Sequence, residues 1–154
     1  LDQMARRVNA PNYALRRAVA VGILLLAGLV LLYFILKWIG WLPSSQTFVT
    51  QTQVFSESKF DITPTYHPGS RTLVFGMGIQ SNEHPEVLAA LPKDVTYLIL
   101  ASGETLEPLD WHARSKTAYE LKGQLVFQLR EPPKPPFTLV YFGLVEQTRF
   151  TWKK

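Results

Sequence analysis

The chain contains no cysteine. That excludes disulfide staples, cysteine-ligated metal centres and a lipidated N-terminal cysteine. It does not argue against export, since extracytoplasmic domains can fold without disulfides. Histidine is scarce as well: His67, His84 and His112 are the only three. None stands at a metal-motif spacing such as H-x-x-x-H, and a metal site needs three or four converging ligands. There is no phosphate-cradling glycine loop, no dinucleotide fingerprint and no C-x-x-C-H haem attachment, so no cofactor is expected. Internal repeats are missing, and the one biased segment is EPPKPP at 131–136.

Most of the chain also lacks excess charge of either sign. The net charge is +4, yet residues 44–154 carry eleven cations and eleven acids and are neutral. The whole excess lies in residues 1–43, which hold Arg6, Arg7, Arg16, Arg17 and Lys37 against Asp2 alone. A basic pI built this way reports on topology and is no nucleic-acid footprint, so no nucleic-acid partner is expected.

What the sequence does have is a run without charge. Residues 18–36, AVAVGILLLAGLVLLYFIL, contain no charged, amide or aliphatic-hydroxyl side chain over nineteen positions. As a helix this run rises about 28 Å, close to the hydrocarbon thickness of a bilayer. It is apolar on every face, unlike the striped helix of a soluble core. The four arginines precede it, so the positive-inside rule keeps the N-terminus in the cytoplasm and sends the remainder across. Tyr33, Trp38 and Trp41 gather at the far end with Phe34, as aromatic residues do at a membrane–water interface. The adjoining KWIGWLPSSQ sets Trp and Ile where a cleavable leader has small residues, so an uncleaved anchor is expected. The helix itself is expected over 13–39. Pro11 and Asn12 offer its start, with Asn12 as cap, and Gly40 and Pro43 offer the exit. Ala18 and Gly22 have the small-xxx-small spacing that permits close helix contact.

Beyond the anchor the pattern turns to period two with turn punctuation. Strands are expected over 46–55, 59–65, 71–79, 94–101, 105–111, 117–129, 137–144 and 147–152. His67-Pro68-Gly69-Ser70 and residues 143–146 read as turns, and 83–91 as a short helix. Residues 94–101, DVTYLILA, are apolar on both faces and should lie deep. The expected organisation is a cytoplasmic tail (1–12), a transmembrane helix with its interfacial exit (13–42) and an extracytoplasmic domain (43–154). The expected fold is thus a single N-terminal transmembrane α-helix followed by a mainly-β, immunoglobulin-like sandwich of about seven strands, with a small open barrel as the alternative.

Candidate chemistry is sparse. His84 with Glu83 and Glu86, and His112 with Asp110, are candidate metal ligands. Asp110, His112 and either Ser102 or Ser115 supply the residue types of a hydrolytic triad, but Ser102 lies in a plain A-S-G turn without the G-x-S-x-G elbow. Glu104 and Glu107 form a candidate carboxylate pair. Trp111 and Trp152 are expected in the core.

The segment 78–129 resembles a family of uncharacterised exported β-sandwich domains with the pattern T-H-S, G-x-x-x-x-P-x-x-W, G-H-H and G-x-L-x-F. Gly103, Pro108 and Trp111 match the middle of it; Gly123, Leu125 and Phe127 match its end. His84 stands near the first histidine, out of register, and Tyr119-Glu120 replaces the His-His pair. The resemblance covers about a third of the chain. It implies export and a sandwich, implies no activity, and suggests that any metal binding by the paired histidines is lost here.

With no catalytic constellation, a non-enzymatic role is expected. The chain reads as a single-pass protein of the inner or plasma membrane, an accessory subunit of a larger complex such as a respiratory or photosynthetic one. Its partners would be lipid and neighbouring subunits. A membrane-tethered ligand- or metal-binding module is the alternative.

Overall fold

A computed structural model describes residues 10–40, 43–55, 57–83, 88–143 and 147–154. The chain divides into two compact units, Leu1–Ser44 and Ser45–Lys154. Arg6, Arg7, Trp41, His84 and Glu86, and the centres of the expected 83–91 helix and 143–146 turn, lie outside the described residues.

Among the described residues the first unit contains one helix, α1, Ala10–Trp38, of 29 residues. Asn12 therefore lies inside the first turn rather than ahead of it. Tyr13–Trp38 is long and apolar enough to cross a membrane, and none of it is buried within the protein. Arg17 sits 4.9 Å from the centroid of the Tyr13 ring, one turn away, a cation–π contact next to the start of the apolar run. The helix stops ahead of Pro43. Gly40 takes φ 78°, which costs a residue without Cβ nothing, and its N–H bonds the Lys37 carbonyl at 3.2 Å.

The second unit is a two-sheet antiparallel sandwich, with ten strands among the described residues. They are β1 Gln46–Thr47, β2 Gln51–Phe55, β3 Ser58–His67, β4 Thr72–Ser81, β5 Thr96–Ile99, β6 Thr105–Leu106, β7 Asp110–Lys116, β8 Glu120–Gln128, β9 Phe137–Tyr141 and β10 Thr148–Trp152. The larger sheet has the order β1-β3-β4-β8-β7, with β2 also on β3; the smaller has the order β10-β9-β5-β6. A mainly-β sandwich after an apolar helix is thus present. An immunoglobulin-like strand order is not confirmed. In an immunoglobulin domain the second and third strands lie in opposite sheets, whereas here β2, β3 and β4 are successive antiparallel neighbours in one. The physical reason is the HPGS turn, tight enough to return the chain to its neighbour rather than across the sandwich.

Alternation builds the core. β3 turns Phe60 and Ile62 inward, β4 turns Leu73, Phe75, Met77 and Ile79, and β8 turns Leu121, Leu125 and Phe127. Leu98, Phe137, Leu139, Tyr141, Phe150 and Trp152 answer from the smaller sheet. The sheets meet through an aromatic seam. Phe75 lies 5.4 Å from Trp152 and 6.4 Å from Phe137, and Phe60 lies 5.2 Å from Tyr141. Each such ring contributes about 1.5–3 kcal/mol by leaving water.

Three strand expectations need correction. The 46–55 strand is interrupted: β1 and β2 lie along the same edge of β3, and residues 48–50 oppose only Thr63 and Pro64. Pro64 has no N–H to offer that edge, while its carbonyl accepts from Phe48 N–H at 2.9 Å, so the edge strand bulges there. The expected strand 105–111 is two strands in different sheets, and β7 runs on to Lys116 although its sequence, DWHARSK, does not alternate. Finally, β5 is the inner strand between β9 and β6, but Tyr97 and Ile99 on its outer face are only half-buried.

Candidate functional site

A cleft of about 680 Å³ lies between the β5–β6 turn and the β8–β9 connection. The first wall is a tight turn. Gly103, at φ 85°, donates to the Leu100 carbonyl at 2.9 Å, and Glu104 N–H donates to the Ser102 hydroxyl oxygen at 3.3 Å. The second wall begins at Leu129, whose N–H bonds the Arg71 carbonyl at 2.9 Å, and continues along the proline-rich segment. Gln128 Nε2 ties this wall down by donating to the carbonyls of Ser70 and Arg71, both at 3.1 Å. Leu100, Leu106, Leu129 and Pro133 give an apolar floor. Glu104, Arg130, Glu131 and Lys134 surround it, and among the described residues none of them is in an ion pair. An apolar floor of this size with a few charges at its rim is the ordinary form of a small-ligand site. The sequence hides it. One wall is drawn from residues 100–106 and the other from residues 128–134, and each alone reads as a plain turn or connector. Only the fold sets the two side by side.

A shallower trough of about 310 Å³ lies on the larger sheet, over Gly76 and Gly78 and between Asp61 and Lys122. Its carboxylates are already matched, while Arg114, which also lines it, is in no ion pair among the described residues. Asp61 accepts from the Thr52 hydroxyl at 2.5 Å and pairs with Lys59 at 3.1 Å, and Glu120 bonds Lys122 and Gln80, both at 2.8 Å. The Thr52 hydrogen bond, with Lys59 and Lys122 nearby, holds the Asp61 carboxyl below its ordinary pKa. Lys122 and Gln80 do the same for Glu120. The trough is smaller and its carboxylates are already engaged, so the cleft is the stronger candidate.

The residues singled out from the sequence do not converge. His112 Nε2 faces Asp110 at 3.5 Å on the exposed edge strand β7. His67 Nδ1 bonds the Ser45 hydroxyl at 2.8 Å beside the β3–β4 turn. Ser102 is engaged in its own turn, and Ser115 sits where β7 slips register against β8. Of the carboxylate pair, only Glu104 lines the cleft. Among the described residues no three His, Asp or Glu side chains are placed to hold a metal ion. In the helix, Tyr33 meets Phe34 edge-on at 5.7 Å, Trp38 is 90% exposed, and nothing lies within 4 Å of a Cβ built on Gly22. Ala18, Arg16 and Arg17 are likewise exposed.

Of the residues that carry the family resemblance, Gly103 lies in the β5–β6 turn, while Trp111 on β7 and Gly123 on β8 meet. Trp111 lies across Gly123, so close that a Cβ there would stand 2.5 Å from the ring. Leu125 and Phe127 continue that strand into the core. No protein-family model, curated protein or solved structure matches the chain.

Proposed function

We propose that the protein is a non-catalytic, single-pass accessory subunit of a larger membrane complex. Its N-terminus lies in the cytoplasm and its sandwich on the periplasmic or extracellular side. The observation that carries this reading is α1 itself. Its 26-residue apolar stretch, Tyr13–Trp38, has no buried face within the protein, which suits a surrounding of lipid and leaves its faces open to neighbouring helices. The cations before the apolar run support the orientation. The test is extraction of the tagged chain in mild detergent, native electrophoresis and mass spectrometry of the migrating species. Co-migration with a defined set of membrane proteins is expected. Migration free of other proteins refutes the reading. A reporter fused after Lys154 should read as exported.

The cleft favours a second reading, a membrane-tethered ligand-binding module, with Arg130 and Lys134 or Glu104 and Glu131 meeting the polar end of a partly apolar molecule. A metal-binding form of it would require His84 or His112. Thermal-shift screening of the extracted protein separates these, since a ligand of the cleft should lose its effect in Glu104→Gln or Lys134→Ala.

A further inference from the structure

Sheet edges offer unpaired backbone groups, and proteins guard them with charge, bulges, proline or brevity. Three of the four edges formed by the described strands are guarded. Strand β7 carries Asp110, His112, Arg114 and Lys116 and a register slip between Ala113 and Ser115. Strand β6 has two residues. Strand β10 carries Arg149, is followed by Lys153 and Lys154, and already gives its Thr151 carbonyl to Gln51 Nε2. The fourth edge differs. Residues 46–55, QTFVTQTQVF, hold no charge, no proline and no glycine, and past the bulge at 48–50 strand β2 is regular.

The hydrogen-bond phase of β2 follows from its register. Phe48 N–H donates to the Pro64 carbonyl, so Pro64 and, by alternation along β3, Ile62 and Phe60 turn their backbone groups to this edge, making hydrogen-bonded pairs of Gln51 with Ile62 and Gln53 with Phe60. The N–H and C=O of Thr52 and Val54 therefore point away from β3. No partner for them occurs among the described residues. Val54 is 66% exposed.

We propose that β2 pairs antiparallel with β2 of a second copy of this chain, about a two-fold axis at Gln53. Such an interface is isologous, so the edge must be complementary to itself. An uncharged strand meets that condition, because no like charges are brought opposite one another. The two-fold sets Thr52 against Val54 of the other copy, each exchanging N–H···O bonds, which satisfies the very groups that β3 leaves free. Gln53 then faces Gln53 across a non-hydrogen-bonded pair. The proposal does not rest on the accessory-subunit reading, which concerns other proteins.

The absence of native cysteine makes the test direct. Facing Cα atoms in a non-hydrogen-bonded antiparallel pair lie about 4.5 Å apart, inside the disulfide window, whereas Thr52 and its own counterpart lie beyond about 7 Å. Full-length Gln53→Cys in native membranes, oxidised and run without reductant, should migrate at twice the 17.5 kDa chain mass and return to it on reduction. Thr52→Cys and His112→Cys should stay at the single-chain mass. Adding Val54→Pro or Val54→Lys to Gln53→Cys should abolish the dimer. The proline removes an N–H that β3 does not use, and the lysine places like charges beside the axis. No dimer with Gln53→Cys, equal dimer with His112→Cys, or a Gln53→Cys adduct only at the mass of a different protein would each overturn the proposal.

Discussion

Replacing Gly123 with alanine tests the most crowded glycine among the described residues. A Cβ there would stand 2.5 Å from the His112 carbonyl oxygen and 2.5 and 2.6 Å from two atoms of the Trp111 ring. Ordinary carbon contacts lie near 3.5–4.0 Å, so the methyl overlaps its neighbours by about 1 Å. The indole can swing outward, but the carbonyl belongs to the backbone of β7, so relief requires that strand to shift against β8. Overpacking of this kind costs about 1–3 kcal/mol. In urea, where small domains unfold with slopes of about 1–3 kcal/mol/M, the midpoint should fall by about 1 M. The assay is denaturation of the full chain in mild detergent, monitored by far-UV circular dichroism. Gly76→Ala is the control, because its Cβ would meet only the Thr63 carbonyl, at an ordinary 3.6 Å. Trp111→Leu should remove part of the Gly123→Ala penalty and leave the backbone part. Equal midpoints for Gly123→Ala and Gly76→Ala would refute the packing argument.

Phe75 touches Phe127, Phe137 and Trp152, so Phe75→Ala should cost about 3–5 kcal/mol by the same denaturation assay. Burial pushes the Tyr141 hydroxyl up to about 12 from 10. The folded state thus resists its ionisation. The associated stability is complete below pH 10 and disappears as pH rises toward 12, and Tyr141→Phe should flatten this alkaline loss, worth on the order of 2–3 kcal/mol. Asp61 is shifted the other way, so its contribution holds above about pH 4 and is lost as pH falls through its depressed value. The pair is solvent-exposed, so Asp61→Asn should cost only about a few tenths of a kcal/mol near neutral pH and nothing once the carboxyl is protonated in strong acid, read from melting temperatures.

The features most legible in the sequence are those carried by neighbours in the chain. The apolar run is legible because a helix needs no distant partner to define it, and α1 spans Ala10–Trp38 where the sequence predicts 13–39. Strands β3, β4 and β8 are legible because each has one wet and one dry face. Strand β7 is not, beyond its first residues, because an edge strand with exposed side chains loses its alternation. The histidines and serines are legible as residue types only; their placement on separate strands and turns is a matter of topology.

The sequence by itself determined the long apolar helix, the asymmetry of charge around it and the β character of the domain beyond it. Each rests on periodicity or composition within a short window. The tertiary structure decided the order of the strands, the joining of the ASGE turn to the proline-rich segment as one cleft, the contact of Trp111 with Gly123, and which edge of which sheet stands unguarded. Those depend on pairings between residues far apart in the chain, and a pattern of near neighbours does not encode which distant strand will lie alongside.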